Sequence, residues 1–355
     1  MSTTIDINQA ELEEFQDRVF ADLAAGYGGV MISIGSKLGL YAALVGAGPL
    51  TSADVAERTG CAERYVREWL NSQAASGYVD YDREHKTYQL PPEHAAVLAD
   101  PDSPAHLTPA FDVVASMWLD EHLTIEAFRT GKGVPWGAHH ERLSHGVAAF
   151  FRTGYRAMLV SDWLVAMDGV VARLEAGATV ADIGCGHGHS TVLMAEAFPQ
   201  SRFYGYDTHA GSLEAARENA AAAGVEDRVT FKIGTAHDYP ERGFDLICFF
   251  DCLHDMGDPL GAARQARSAL APGGSVLLVE PAAADDVADN VGPIAHLYYS
   301  ASTTICCAHA LSEGSVALGA QAGEARLAEL FSEAGFGDWN VVAKTPFNLI
   351  AQVRA

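Results

Sequence analysis

Val180-Ala181-Asp182-Ile183-Gly184-Cys185-Gly186-His187-Gly188-His189-Ser190 is a short apolar run that ends near an acid, passes through three glycines and enters a helical pattern. Glycines at such a turn let the backbone approach a ligand closely, and a strand, Gly-rich turn and helix in that order build a parallel α/β sheet. A dinucleotide fingerprint needs G-x-G-x-x-G. Here the third glycine comes one residue early, at Gly188, with His189 where the pattern wants Gly. The turn therefore suits a ligand other than a diphosphate. A carboxylate at Asp182 points the same way, since it attracts a cationic group and repels a phosphate.

The runs on either side extend this unit. Apolar segments at 179–183, 203–206, 229–233, 244–250 and 275–279 alternate with helical segments at 190–198, 212–223 and 260–270, which predicts a parallel sheet covered on both faces. Beyond them lie a helical insertion at 293–307, a helix at 324–334, and β segments at 339–344 and 348–354 joined by Thr345-Pro346-Phe347. So tight a connection requires antiparallel pairing. The second run ends in Tyr206-Asp207, an acid that can accept hydrogen bonds from both hydroxyls of a ribose. The fourth leads into Phe249-Phe250-Asp251-Cys252-Leu253-His254-Asp255-Met256-Gly257-Asp258-Pro259, and residues at the carboxyl ends of such strands face the ligand crevice.

The glycine run resembles motif I of the class I S-adenosylmethionine (SAM) dependent methyltransferases, whose parallel sheet is closed by a reversed final strand. The resemblance implies an α/β, Rossmann-like, seven-stranded sheet with a C-terminal reversed β-hairpin, and SAM as cofactor with S-adenosylhomocysteine as product. It implies cofactor contacts from Asp182, Gly184, Cys185 and Gly186, from Asp207 and Thr208, and from Phe250 and Tyr155. The acid that many members place against the adenine amine is replaced by Thr235, which leaves adenine to Thr235, the Ala236 backbone or Asp238.

Residues 250–258 resemble the L-H-D-W-x-D segment of small-molecule O-methyltransferases, in which the His is the general base. By that match His254 takes the proton of an acceptor hydroxyl. The family brackets its base with two acids: Glu280 falls at the first position, and residues 319–321 offer none at the second. The acceptor pocket is expected from parts outside the sheet, namely Trp136 and His139 before it and His296 and Tyr298 in the insertion. Alternatives remain: methylation of nitrogen, carbon or sulfur with His254 only orienting, or a SAM-sensing regulator.

The front half reads as helices over 11–45 and a winged helix-turn-helix over 51–90, giving a mainly α domain at 1–150 ahead of a SAM-binding domain at 151–355. Residues 51–90 carry seven acids and five bases, and the chain has 46 Asp plus Glu against 23 Lys plus Arg, a formal charge of −23. That field repels nucleic acid, so a packing or dimerisation role is expected of the winged helix. Through 250–258 and Thr345-Pro346-Phe347-Asn348 the chain resembles a group of actinobacterial winged-helix methyltransferases; the wider O-methyltransferase group implies an intertwined homodimer and a small-molecule substrate. The six cysteines form no C-x-x-C pair, which fits a reducing cytoplasm. Neither a membrane-spanning segment nor a metal site is expected: Lys37 interrupts the apolar stretch 30–45, and the Cys and His residues lack the tight pairing of zinc ligands.

Overall fold

The computed structural model describes residues 7–314 and 316–355, which separate into two compact units between Ala115 and Ser116. In the first unit, helix Gln9–Lys37 starts at Asn8, whose side chain accepts the N–H groups of Ala10 and Glu11. Helices Ser52–Thr59 and Glu63–Ala75 and the antiparallel pair β1 (Asp80–Asp82) and β2 (Thr87–Gln89) form the winged helix. Thr51 and Asp54 make a capping box that fixes where the first of these helices begins. Trp69, Leu70, Val66 and Tyr41 fill the core, and Gly35 leaves room for them: a Cβ there would stand 2.4 Å from the Trp69 ring. On Glu63–Ala75 the arginines are held by their own helix, Arg64 by Glu68 at 2.6 Å and Arg67 by Glu63 at 2.5 Å.

Helix Gln9–Lys37 differs from the sequence expectation. It runs unbroken through Gly26, Gly28 and Gly29, and from Val19 to Ser36 Asp22 is its one charged residue. By length and composition alone it is long and apolar enough to cross a membrane. Phe15, Phe20, Leu23, Tyr27 and Val30 along it are exposed.

The second unit is built on seven strands: β3 (Thr179–Ile183), β4 (Arg202–Asp207), β5 (Val229–Ile233), β6 (Phe244–Phe250), β7 (Leu270–Pro281), β8 (Asp338–Lys344) and β9 (Asn348–Arg354). Their order is β5-β4-β3-β6-β7-β9-β8, with β9 antiparallel to both neighbours and every other pairing parallel. Alternation along each strand divides the core between the two faces. Val180, Cys248, Leu277 and Val279 pack on one face; Ala181, Ile247, Val276 and Leu278 pack on the other.

The sequence reading changes domain at residue 150, in the middle of helix Arg142–Met158, which the structure shows to be continuous. That helix packs on helix His189–Ala197, and the Val134 N–H donates to the Ala308 carbonyl, so residues 116–150 belong to the sheet unit by contact.

Candidate functional site

At the carboxyl ends of β3, β4 and β6 a cavity of about 430 Å³ opens between the glycine turn and the strand-to-helix loops, within the range of small-molecule sites. The turn is tied to its neighbour strand. Gly184 and Cys185 donate their N–H groups to the Tyr206 carbonyl at 2.8 and 3.1 Å, and Gly186 donates to Asp207 Oδ2 at 2.8 Å. Gly186 sits at φ +51, and a Cβ built there would meet nothing within 4 Å, so its bare backbone faces open space. Gly188, at φ +70, has the opposite reason for being glycine: a Cβ would stand 2.6 Å from the Phe231 ring.

Asp207 lies in the wall, its Oδ1 accepting the His209 N–H at 2.8 Å. Burial pushes its carboxyl above the usual range, against those backbone donors. Thr208, Thr235 and Ala236 continue the wall, with Thr235 donating to Asp238 Oδ1 at 3.0 Å. Tyr155 and Phe250 also line it, 5.3 Å between ring centroids, and Phe151 stacks on Tyr155. Asp182 is outside the wall. It lies beneath the turn and takes the Ser190 and Thr191 hydroxyls on Oδ2 at 2.6 Å each, while its Oδ1 is buried without a hydrogen-bond partner among the described residues. Burial raises this carboxyl to about 6, partly opposed by the two hydroxyls.

Beside the cavity, His254 and Glu280 form a buried pair with Nδ1 to Oε2 at 2.5 Å, and Glu280 Oε1 accepts the Leu253 N–H at 2.9 Å. β7 carries Glu280 to this point and the turn after β6 carries His254. The imidazole is 5% exposed and is not itself part of the wall, although Asp251, Cys252 and Asp255 around it are. Burial alone would push the imidazole down; Glu280, with the neighbouring Cys306, more than offsets this and holds it well above its ordinary value. With Nδ1 committed to Glu280, Nε2 is the nitrogen left to take a proton.

Of the expected acceptor residues, Trp136 lines the cavity and its backbone N–H donates to His309 Nδ1 at 3.2 Å. His139 is turned away from it and bound to Asp120 Oδ2 at 3.1 Å. His296 is exposed and outside the wall, and Tyr298, outside it too, donates its hydroxyl to the Phe347 carbonyl at 3.1 Å. For three neighbours of the pair, sequence reasoning missed the contacts. Cys306 ends a π-helical turn, Ser302–Cys306, a distortion common at functional positions. Asp251 has a left-handed backbone, φ +49, and Asn348 Nδ2 donates to its Oδ1 at 2.6 Å. No group of three or more His, Cys, Asp or Glu among the described residues is arranged to hold a metal ion.

Known proteins share both halves. Residues 26–100 match the family model of the Rv2258c-like winged HTH domain, and residues 174–335 match a methyltransferase domain. The 27-O-demethylrifamycin SV methyltransferase of Amycolatopsis mediterranei is 36% identical over 107 residues, 30% of this chain and 39% of that protein. The mitomycin biosynthesis 6-O-methyltransferase of Streptomyces lavendulae is 26% identical over 256 residues, 66% of this chain and 68% of that one. This chain spans about two fifths of the length of several curated relatives it matches. A solved structure from Nostoc punctiforme PCC 73102, described as a putative O-methyltransferase, superposes with a TM-score of 0.71 at 20% identity, covering 95% of this chain and 98% of that one, a likeness of fold. The glycine turn, the reversed β9 and the two matched regions together make this chain a winged helix-turn-helix domain followed by a methyltransferase domain of the class I fold.

Proposed function

We propose that the chain transfers the methyl group of SAM to a hydroxyl of a small-molecule acceptor, with His254 as general base and Glu280 as the residue that orients it. The observation that carries this reading is the buried His254–Glu280 pair at the carboxyl end of β6, beside a cavity whose wall holds the bare Gly186 backbone and Asp207. These residues fit the cofactor. Asp207 can take ribose hydroxyls, Thr235 and Ala236 can contact adenine, and Gly184, Cys185 and Gly186 can lie against the methionine portion, while Tyr155 and Phe250 cover the mouth. Asp182, underneath, acts on the site by fixing the turn and through its charge.

The bound cofactor would supply an electrophilic methyl group. Glu280 holds the Nδ1–H of His254, which leaves the Nε2 lone pair to accept the acceptor's proton as its oxygen becomes the nucleophile. Because Glu280 keeps the imidazole above its ordinary value, the base is free only on the alkaline side, and turnover rises with pH through that elevated value. Titration calorimetry with S-adenosylhomocysteine and with NADH tests the cofactor assignment: binding of the first without the second is expected, and the reverse overturns it. Product analysis with labelled SAM and hydroxylated natural products then tests oxygen as the acceptor atom; methyl recovered on nitrogen, carbon or sulfur alone overturns that part.

The exposed apolar side chains of helix Gln9–Lys37 support a homodimer through the first unit. Phe20 and Tyr27, 72% and 77% exposed, are seven residues apart and share a face. Phe20→Asp with Tyr27→Asp should turn a dimer into a monomer by light scattering, since each buried aromatic contributes about 1.5–3 kcal/mol. A wild-type monomer at the same concentration would count against the assignment.

A further inference from the structure

Among the described residues, the wall of the cavity contains Asp207, Asp251, Asp255, Asp258 and Glu313 but neither Lys nor Arg. Asp251 is the unusual member. Its backbone takes the left-handed conformation at φ +49, a strained region for a residue with a side chain. Asn348 holds its Oδ1, and its Oδ2 is buried with no hydrogen-bond partner among the described residues. A buried carboxyl in that condition keeps a proton or faces a cation. It lies close enough to Glu280, His254, Tyr155 and Tyr298 to share their electrostatic influence.

We propose that Asp251 is the counter-ion for a protonated amine of the acceptor, so that the preferred acceptor is a hydroxylated amine and not a carboxylic acid or a neutral phenol. The inference rests on the methyl-transfer reading and adds the acceptor's charge to it. One small molecule can then place its amine at Asp251 and its hydroxyl toward His254, since the two residues are three apart in one turn. Burial and the neighbouring Glu280 hold the Asp251 carboxyl well above the usual range, and a bound ammonium would reverse this and release the proton.

The test uses the full chain saturated with S-adenosylhomocysteine and two matched probe sets: tyramine, 4-ethylphenol and 3-(4-hydroxyphenyl)propionate, then dopamine, 4-ethylcatechol and 3-(3,4-dihydroxyphenyl)propionate. In calorimetry the amine of a set should bind at least about tenfold tighter than its neutral partner, with the acid weakest, a difference of about 1.4 kcal/mol or more. Asp251→Asn should erase the amine's advantage and leave affinity for S-adenosylhomocysteine within about twofold, a change near the thermal energy. No advantage for either amine in the wild-type protein, undetectable amine binding included, overturns the proposal without needing a variant. An advantage that survives Asp251→Asn overturns it as well. If Asp251→Asn weakens SAM but not S-adenosylhomocysteine, the carboxyl serves the cofactor's sulfonium and the proposal fails. Failure of the wild-type chain to bind S-adenosylhomocysteine is a separate result, which sinks the methyl-transfer reading itself.

Discussion

Replacing Glu280 by glutamine is expected to lower kcat by about 10²–10⁴-fold while affinity for S-adenosylhomocysteine stays nearly unchanged. The amide can still accept the Leu253 N–H through Oε1, so the turn after β6 keeps its anchor. Where Oε2 now receives Nδ1–H, the variant presents an NH₂ group, which requires Nδ1 to accept and moves the proton to Nε2. The neutral imidazole then donates where it has to accept. A second signature separates this from structural damage. In the wild-type protein, burial pushes the imidazole down and Glu280, with Cys306, more than reverses it. Without the carboxylate the burial effect gains weight, so the rising limb of the pH–rate profile should move toward acid even as the rate falls. The sign for stability also follows. A base whose folded value is raised contributes stability that is fully present below its unfolded value and is lost as pH rises through the folded one. The gap in stability between wild type and Glu280→Gln should therefore narrow toward alkaline pH in denaturant titrations. An unshifted profile with wild-type turnover would remove Glu280 and His254 from the chemistry.

Much of the sheet could be read from sequence because each strand carries its own local signal. β3, β5 and β6 are apolar runs bounded by turn residues, and the Thr345-Pro346-Phe347 connection fixes the reversal of β9. The glycine turn was legible for the same reason: spacing excludes the diphosphate pattern before any contact is known. What escaped depends on contacts distant in sequence. The buried Asp120 carboxylate accepts the His140 N–H at 2.8 Å and binds the His139 ring, which keeps His139 out of the cavity wall. Cys306 lies near His254 from the end of a π-helical turn, a placement that spacing along the chain does not reveal. The long first helix was hidden by its glycines, which punctuate an isolated sequence but cost only about 1 kcal/mol each inside a helix. The strand end placed Asp251 at the crevice, but its left-handed backbone and its tie to Asn348 gave no local cue, since the tie depends on β9 lying beside β7.

Asp207→Ala should weaken binding of S-adenosylhomocysteine by about 100-fold or more, the largest loss expected for any single change in the cofactor half of the cavity. The carboxylate does two things at once. Its oxygens take the N–H groups of Gly186 and His209, which fixes the glycine turn against the end of β4, and their remaining lone pairs face the cavity where ribose hydroxyls would donate. Hydrogen bonds to a charged group contribute about 1.5–3 kcal/mol each, and truncation also leaves two backbone donors without a partner. Asp207→Asn should fall between wild type and alanine, because one amide oxygen can still serve one of those N–H groups while the NH₂ opposes the other. Since burial raises the Asp207 carboxyl, protonation should weaken cofactor binding at a higher pH than for an exposed aspartate, with affinity rising as pH increases through that raised value. Calorimetry across that acid range would show the trend in wild type and its absence in Asp207→Ala. Affinity retained within about threefold, less than 1 kcal/mol, would place the ribose elsewhere and detach the glycine turn from cofactor binding.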